Sequence, residues 1–281
     1  MEKLKKLILN TDVDLLALSE VNKDWRKLDY DNSIWGATSS WKEHRRIQVS
    51  YNTSTPAKKE YQPGGTAMVM FGELTFRISF QSYDPRGLGR WSILTLTGKQ
   101  NVNTTIITCY CPTRSKSLGS TFVQQLIYMA NNKDELPNVD CPRQLFGIDL
   151  KNELEAFVNK GHNLIVMGDF NSHYLDLTSW MATIGLIDLI EHRHGKCPTT
   201  HTRSSETPLD VIYGSPIFKI MKGGFLPFQK LLSDHRGIWI DIPKFYLFGY
   251  KPQHPVFPSP RRLKLEDPRI VKSTFHTYIS Q

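Results

Sequence analysis

The run Ile165-Val166-Met167-Gly168-Asp169-Phe170-Asn171 decides how this chain of 281 residues is read. Its apolar half has the composition of a buried strand, and its glycine leaves room for close backbone approach. It then presents a carboxylate and, two residues on, a carboxamide. The carboxyl end of a strand is where an α/β protein usually places chemistry. An acid that can orient a water, beside an amide that can donate to a phosphate oxygen, suits phosphoester hydrolysis. Taken alone, Gly-Asp-x-Asn also reads as a simple turn, because all three residue types favour turns. The rest of the chain weighs against the turn.

Upstream, residues 2–10 put Leu4, Leu7 and Ile8 on one helical face, and Asp14 to Leu18 reads as a buried strand ending at Ser19-Glu20. Residues 22–62 are polar and aromatic with little periodicity, which predicts loop and short helix. Strands are predicted over 66–71, 74–80, 91–97 and 104–110; in the second, Leu74, Phe76, Ile78 and Phe80 alternate with polar neighbours. Helices are predicted over 117–132 and 144–160, the latter from Leu150, Leu154, Phe157 and Val158 at helical spacing, with Gly161 as its stop. Beyond the central strand at 163–168, a helix near 175–185 and strands at 209–214 and 237–242 complete the core. Strand groups of antiparallel character, broken by a few helices, predict an α/β fold of two sheets packed face to face with helices outside. Pro243, Pro252, Pro255, Pro258 and Pro260 argue against further helix or strand. The reading is therefore one domain over 1–243 and a Pro-rich basic tail, or the start of a linker, over 244–281.

A composition 40% hydrophobic and 22% charged is that of a globular protein. No apolar run approaches the roughly 20 residues that span a bilayer. Residues 1–10 lack the apolar region and cleavage site of a signal peptide, so an intracellular protein is expected. Four cysteines are too few for a disulfide framework at this length, and reduced thiols are expected. A formal charge of +8 and a pI near 9.2 favour a polyanionic partner, nucleic acid ahead of an anionic membrane surface. Basic residues cluster at Lys42, Arg45 and Arg46, at Lys58 and Lys59, and at Arg86 and Arg90. An ordinary solvated basic surface is the plainer reading of the same charge.

Other strand ends also offer acids or a histidine: Glu20, Asp210 in Leu209-Asp210-Val211-Ile212, and Asp234-His235 after Ser233. Charges beside apolar strands are costly unless paired or bound to metal. Four carboxylates converging at one rim would repel one another without a divalent cation, which is the physical case for Mg2+ or Mn2+. A carboxylate holding His235 would sustain its positive charge as phosphate charge develops. A lone histidine is more often structural; an Asp-His pair closing a strand beside other strand-end acids is harder to dismiss.

Leu15-Leu16-Ala17-Leu18-Ser19-Glu20, Tyr110-Cys111-Pro112-Thr113, Gly168-Asp169-Phe170-Asn171, Leu209-Asp210-Val211-Ile212 and Ser233-Asp234-His235 stand in a telling order. By that order and its approximate spacing the chain resembles the endonuclease/exonuclease/phosphatase superfamily over roughly residues 10–242. Gly89-Arg90-Trp91-Ser92, Gly223-Gly224-Phe225-Leu226-Pro227-Phe228 and the tail from Arg261 to Arg269 look like its LINE-type retroelement branch. The resemblance implies a deoxyribonuclease I-like four-layer sandwich, metal-assisted phosphodiester cleavage, DNA as partner and, with DNA, the nucleus. It implies Glu20 as principal metal ligand with Asp234 near the metal, and Asp169 orienting or deprotonating the attacking water. Asn171 would donate to the phosphate and help position that water, His235 would contact the phosphate with Asp210 holding the ring, and Tyr110 would bond a phosphate oxygen or help stabilise developing charge. Arg114, beside Thr113 where an asparagine is common, would clamp phosphate, and Arg90 is taken with it as substrate-binding. The family opens with a strand carrying an asparagine near the metal. Here Met1 already lies in what reads as the following helix, so a shortened or weakly active chain is expected.

His192, His194, Cys197 and His201 offer zinc-type ligands, but Gly195 and Pro198 make the stretch a loop and the spacing matches no standard finger. Trp25, Trp35 and Trp41 could stack on bases; packing beneath a long loop is the plainer reading. Three functions remain in play: a DNA endonuclease of retroelement type, a phosphoesterase on a lipid or inositol phosphate headgroup, and an interaction protein with impaired activity. The first leads, and a monomer is assumed.

Overall fold

Among the described residues, three groups of strands build the interior. The computed structural model describes residues 2–53, 61–202, 207–231 and 233–249. β1 (Leu15–Ser19) and β2 (Arg45–Ser50) flank β3 (Thr66–Phe71) in an antiparallel sheet. The largest sheet runs β4 (Ile78–Tyr83), β5 (Trp91–Thr97), β6 (Asn103–Tyr110), β7 (Asn163–Asp169), β9 (Asp210–Gly214) and β8 (Ile187–Asp188). Its β6–β7 pair is parallel and the rest antiparallel. β10 (Lys222–Phe225) pairs with β11 (Ile238–Asp241). The helices are α1 (Glu2–Asn10), α2 (Ile34–Ala37), α3 (Thr121–Asn131), α4 (Pro142–Asn159), α5 (Tyr174–Ala182), α6 (Leu189–His194) and α7 (Lys244–Phe248).

Alternation along the strands produces the layers. Ile93, Ile107, Val166 and Tyr213 pack with Leu150, Leu154 and Phe157 of α4 and Met181 of α5. Leu94, Ile106, Ile165 and Ile212 pack instead with Met68 and Met70 of β3 and with Leu15, Ala17, Ile238 and Ile240. The other face of β3, made of Ala67, Val69 and Phe71, packs on Ile8 of α1, Ile34 of α2 and Trp41. Helix, sheet, sheet, helix is the α/β sandwich expected from the sequence. Each fully buried Leu, Ile or Phe contributes about 1.5–3 kcal/mol, so apolar burial holds the layers. Trp41 is buried and Trp25 meets Trp35 edge-on, so these rings serve packing.

Several elements depart from expectation. β2 falls inside 22–62; Ile47 and Val49 do alternate there, but the polar residues around them leave too short a pattern to read. Residues 72–77 form a 3-10 turn ahead of β4, so Phe76 is 70% exposed although Leu74 is buried. A three-residue repeat cannot sustain two-residue alternation. Beyond Pro243 the fold continues: α7 forms and buries Leu247 and Phe248. A proline just ahead of a helix is tolerated because its missing N–H has no partner there. Lys58, Lys59 and the tail from 250 onward, with Arg261 and Arg262, lie outside the described residues. No helix among the described residues is long and apolar enough to cross a membrane.

Candidate active site

Strand register gathers the site. Tyr110 ends β6, Asp169 ends β7 and Asp210 opens β9; Tyr110 pairs with Asp169, and Asp169 with Asp210. Gly168 permits the close β6–β7 approach. Its φ is +140°, and a Cβ there would run into the Cys109 carbonyl. A second tie crosses the layers: Ser19 Oγ donates to the Cys109 carbonyl at 2.8 Å and accepts from the Asp169 amide at 3.4 Å. The end of β1, and with it the exposed Glu20, is thereby set beside Asp169.

Asp169 is 3% exposed. Burial, and then the charge of Asp210 directly opposite, push its carboxyl up to about 8. Asn171 holds that carboxylate twice: its backbone N–H donates to Oδ1 at 3.0 Å and its Nδ2 donates to Oδ2 at 2.9 Å. Nδ2 also donates to the Cys111 carbonyl at 2.9 Å. The φ of Asn171 is +46°, a left-handed conformation that Asn adopts more readily than most residues. Arg143, on the first turn of α4, donates to the Pro112 carbonyl at 2.8 Å and to Ser172 Oγ at 2.6 Å, which braces the loops on both sides.

His235 Nδ1 lies 2.7 Å from Asp210 Oδ2. Burial opposes its charge, but the hydrogen bond and charge of Asp210, backed by Asp169 and Asp234, outweigh burial and raise its pKa to about 9. Thr200 steadies Asp210: its hydroxyl accepts from the Leu209 and Asp210 amides, each at 3.0 Å. Thr202 N–H donates to the Asp234 carbonyl and Arg236 N–H to the Thr200 carbonyl, each at 2.9 Å, which pairs His201 with His235. His201 Nε2 lies 3.1 Å from Asp234 Oδ2. Slight burial works against the Asp234 carboxylate, but its own amide and His201 hold its pKa below the usual range. Burial, then the charges of Glu20 and Asp169, raise the Tyr110 phenol far above neutrality, so it is a neutral donor.

The structure brings Tyr110, Asp169, Asn171, Asp210, Asp234 and His235 together. Glu20 acts electrostatically on Tyr110 and Asp169, but among the described residues it joins no group of three closely spaced ligand atoms. Asp234 sits instead with His201 and His235. Arg114 is exposed on the segment after β6.

One expectation is corrected. Arg90 is 1% exposed; its guanidinium donates to Asp84 at 2.7 and 2.8 Å and to Asp149 at 2.8 Å, over the ring of Trp91. A buried guanidinium committed to two carboxylates cannot reach a substrate. Asn171 Nδ2 donates to the Cys111 carbonyl and to Asp169 Oδ2, so it braces the Asp169 carboxylate. Three other residues of the predicted basic clusters also have internal partners: Arg86 pairs with Asp149, Lys42 with Asp12, and Arg45 bonds the Ser39 and Trp35 carbonyls.

Sequence reasoning missed Ser19, Arg143 and Thr200, whose partners are distant and largely backbone groups. It saw His201 only within a zinc-like run. That run is dispersed: His192 and His194 are exposed on α6, and Cys197 faces Asp188.

Residues 1–235 match the model of the Endonuclease/Exonuclease/phosphatase family. The chain belongs to this family. Its fold recurs in solved structures of low identity. The human Nocturnin catalytic domain with bound sulfate is 18% identical over 86% of each chain, with a TM-score of 0.56. The Xenopus laevis APE2 catalytic domain is 15% identical over 85% of this chain and 87% of that one, with a TM-score of 0.58. The 3′ phosphatase NExo from Neisseria, bound to a product DNA hairpin, is 16% identical over 86% and 93%, with a TM-score of 0.56. No curated protein matches the sequence. These likenesses establish the deoxyribonuclease I-like fold; none of them points to the LINE-type branch.

Family members are metal-dependent phosphoesterases. The residues here fit a hard divalent cation. Glu20, Asp169, Asp210 and Asp234 offer carboxylate oxygens, and after burial the neighbouring negative charges raise Asp169 and Tyr110 further.

Proposed function

We propose that this family member is a divalent-metal-dependent phosphodiesterase acting on nucleic acid, and in its sharper form a DNA endonuclease of retroelement type. The observation that carries the reading is the cross-strand row Tyr110–Asp169–Asp210 with His235 bonded at its end. A phenol donor, a buried carboxyl of raised pKa and an imidazolium stand together at one strand end. That is the equipment for attack of water on a phosphorus centre.

In this reading Asp169, oriented by Asn171, takes a proton from the attacking water; a carboxyl near 8 is basic enough to do so around neutrality. His235 stays charged below about pH 9 and meets the charge growing on the phosphate, while Asp210 fixes its ring. Tyr110 donates to a phosphate oxygen, and Arg114 grips a neighbouring phosphate from its exposed position. Glu20 and Asp234 would hold the cation, which when bound neutralises phosphate charge and makes water more acidic. Nucleic acid is supported by the charge of +8 and by the DNA hairpin in the NExo structure. The retroelement assignment rests on sequence motifs alone, and a nuclear location goes with a DNA role.

The test is supercoiled plasmid with Mg2+. Nicked circles are expected, lost on chelation and lost in Asp169→Ala. Plasmid left intact while an inositol phosphate or phospholipid is hydrolysed would assign a headgroup substrate. Hydrolysis of neither would make the chain a non-catalytic interaction protein.

A further inference from the structure

We propose that His201, Asp234 and His235 form a site for a nitrogen-preferring divalent cation of the Zn2+ type, and that filling it switches phosphoester hydrolysis off. One nitrogen of each imidazole and one carboxylate oxygen lie within 4.8 Å of one another. The 3.1 Å between His201 Nε2 and Asp234 Oδ2 is close to the roughly 3.3 Å separating two ligands of a tetrahedral ion with bonds of about 2 Å.

The third ligand is already oriented. Asp210 holds His235 Nδ1, which leaves Nε2 as the ring atom for an ion. A carboxylate on the far nitrogen is the usual outer partner of a metal-bound histidine, fixing its tautomer and raising its basicity. The scaffold is equally prepared. Hydrogen bonds from Thr202 to Asp234 and from Arg236 to Thr200 clamp the two segments, so the ligands stand on paired backbone. His201 and His235 are 16% and 23% exposed at their side chains and Asp234 56%, which gives an ion an open approach on the carboxylate side.

Chemistry separates this site from the hydrolytic one. Mg2+ demands near-octahedral oxygen coordination, whereas two imidazoles and one carboxylate suit an open tetrahedral Zn2+ site with water in the fourth place. The sites overlap at Asp234 and His235. Once Nε2 of His235 is bound to such an ion, that ring atom can no longer donate to a phosphate oxygen. Asp234 is likewise withdrawn from the hydrolytic cation. The switching half of the proposal rests on the hydrolytic reading above; the binding half does not.

The experiment uses the full chain, stripped with EDTA, and Co2+ as an optical probe. Visible bands of four-coordinate Co2+ are expected, displaced by Zn2+ and not by excess Mg2+. His201→Gln should weaken Co2+ and Zn2+ binding on the order of 100-fold, and a His192→Gln/His194→Gln double variant should bind as wild type does. If His201→Gln does not fold, Asp234→Asn reads the same loss. No bands in the wild type, or bands of equal affinity in His201→Gln, overturn the site. In an active preparation, Zn2+ should inhibit Mg2+-supported hydrolysis, with the inhibitory concentration raised by about the same factor in His201→Gln. Zn2+ that binds without slowing an active enzyme overturns the switch. A chain that hydrolyses nothing but still shows the bands fails only the function proposed earlier.

Discussion

Around Arg90, Asp84 and Asp149 face two guanidiniums, those of Arg86 and Arg90. Around Asp169, the carboxylates of Asp210, Asp234 and Glu20 face two imidazoles, those of His235 and His201. The first cluster is balanced and saturated. Asp84 alone accepts from the Arg86, Leu88 and Arg90 amides as well as from the Arg90 side chain, so it ties down the turn between β4 and β5. The second cluster keeps two carboxylates directly opposite each other in a ladder, which costs stability. Charge arranged to cancel serves the fold, and charge arranged against itself marks chemistry. This is why the buried Arg90 is poor evidence for substrate binding and the equally buried Asp169 is good evidence for catalysis.

The contrast can be broken most directly at Asp169. Asp169→Asn should lower phosphoester hydrolysis roughly 10³–10⁴-fold, as expected for loss of a positioned base. Its melting temperature at neutral pH should hold or rise, because the variant no longer buries an ionisable carboxyl against Asp210. Thermal melts beside initial rates decide this, and a variant that loses both would mean the second cluster is structural after all. Asp84→Ala should behave in the opposite sense. Leaving buried Arg90 partly uncompensated should cost about 3–5 kcal/mol in urea unfolding, with turnover per folded molecule largely kept.

How far this was legible in the sequence follows the same division. Asp169, Asp210 and His235 could be read because each interrupts or ends an apolar run, and the expense of charge there is local information. The sandwich could be read for the same reason: the all-buried β3 run, the largely buried β7 run and the regular α4 pattern are each visible locally. Arg90 misled because a guanidinium looks alike in sequence whether it faces solvent or Asp84 and Asp149. Thr200 and Ser19 were invisible because their hydroxyls matter only through backbone groups brought near by folding. The turn at 72–77 was misread because alternation over four apolar positions fits a strand by accident when only Leu74 and Ile78 point inward.

Arg143 offers a smaller test between the two clusters. It is bound to loops on both sides of the site yet touches no proposed reacting group. Arg143→Ala should lower kcat about 10-fold through misplacement of the Asp169–Asn171 loop, with KM little changed. It should also cost about 1–2 kcal/mol from acceptors left unpaired. Arg143→Lys should restore stability better than kcat, because one ammonium cannot reproduce the forked contact to Pro112 and Ser172.

The smallest expected effect lies in the pH dependence of stability without metal. His235 rises from an ordinary 6.5 to about 9 in the fold, so its contribution is complete below 6.5 and is lost as pH climbs through 9. Asp169 rises from an ordinary 3.8 to about 8, so the folded chain keeps a proton that the unfolded chain has released. Stability from this group therefore also falls as pH climbs, from 3.8 through 8. The two slopes have the same sign between about pH 6.5 and 8. The Arg90 cluster should add no slope there, since burial is outweighed by Asp84 and Asp149 in keeping that guanidinium charged. Melts in EDTA from about pH 6 to about pH 9 should show a loss of several degrees in the wild type. Asp210→Asn removes both the bond that charges His235 and the charge that opposes Asp169, so its profile should be flatter. Equal slopes in the two proteins would mean that Asp210 couples to neither group, and the proposed pairing of base and imidazolium would lose its physical basis.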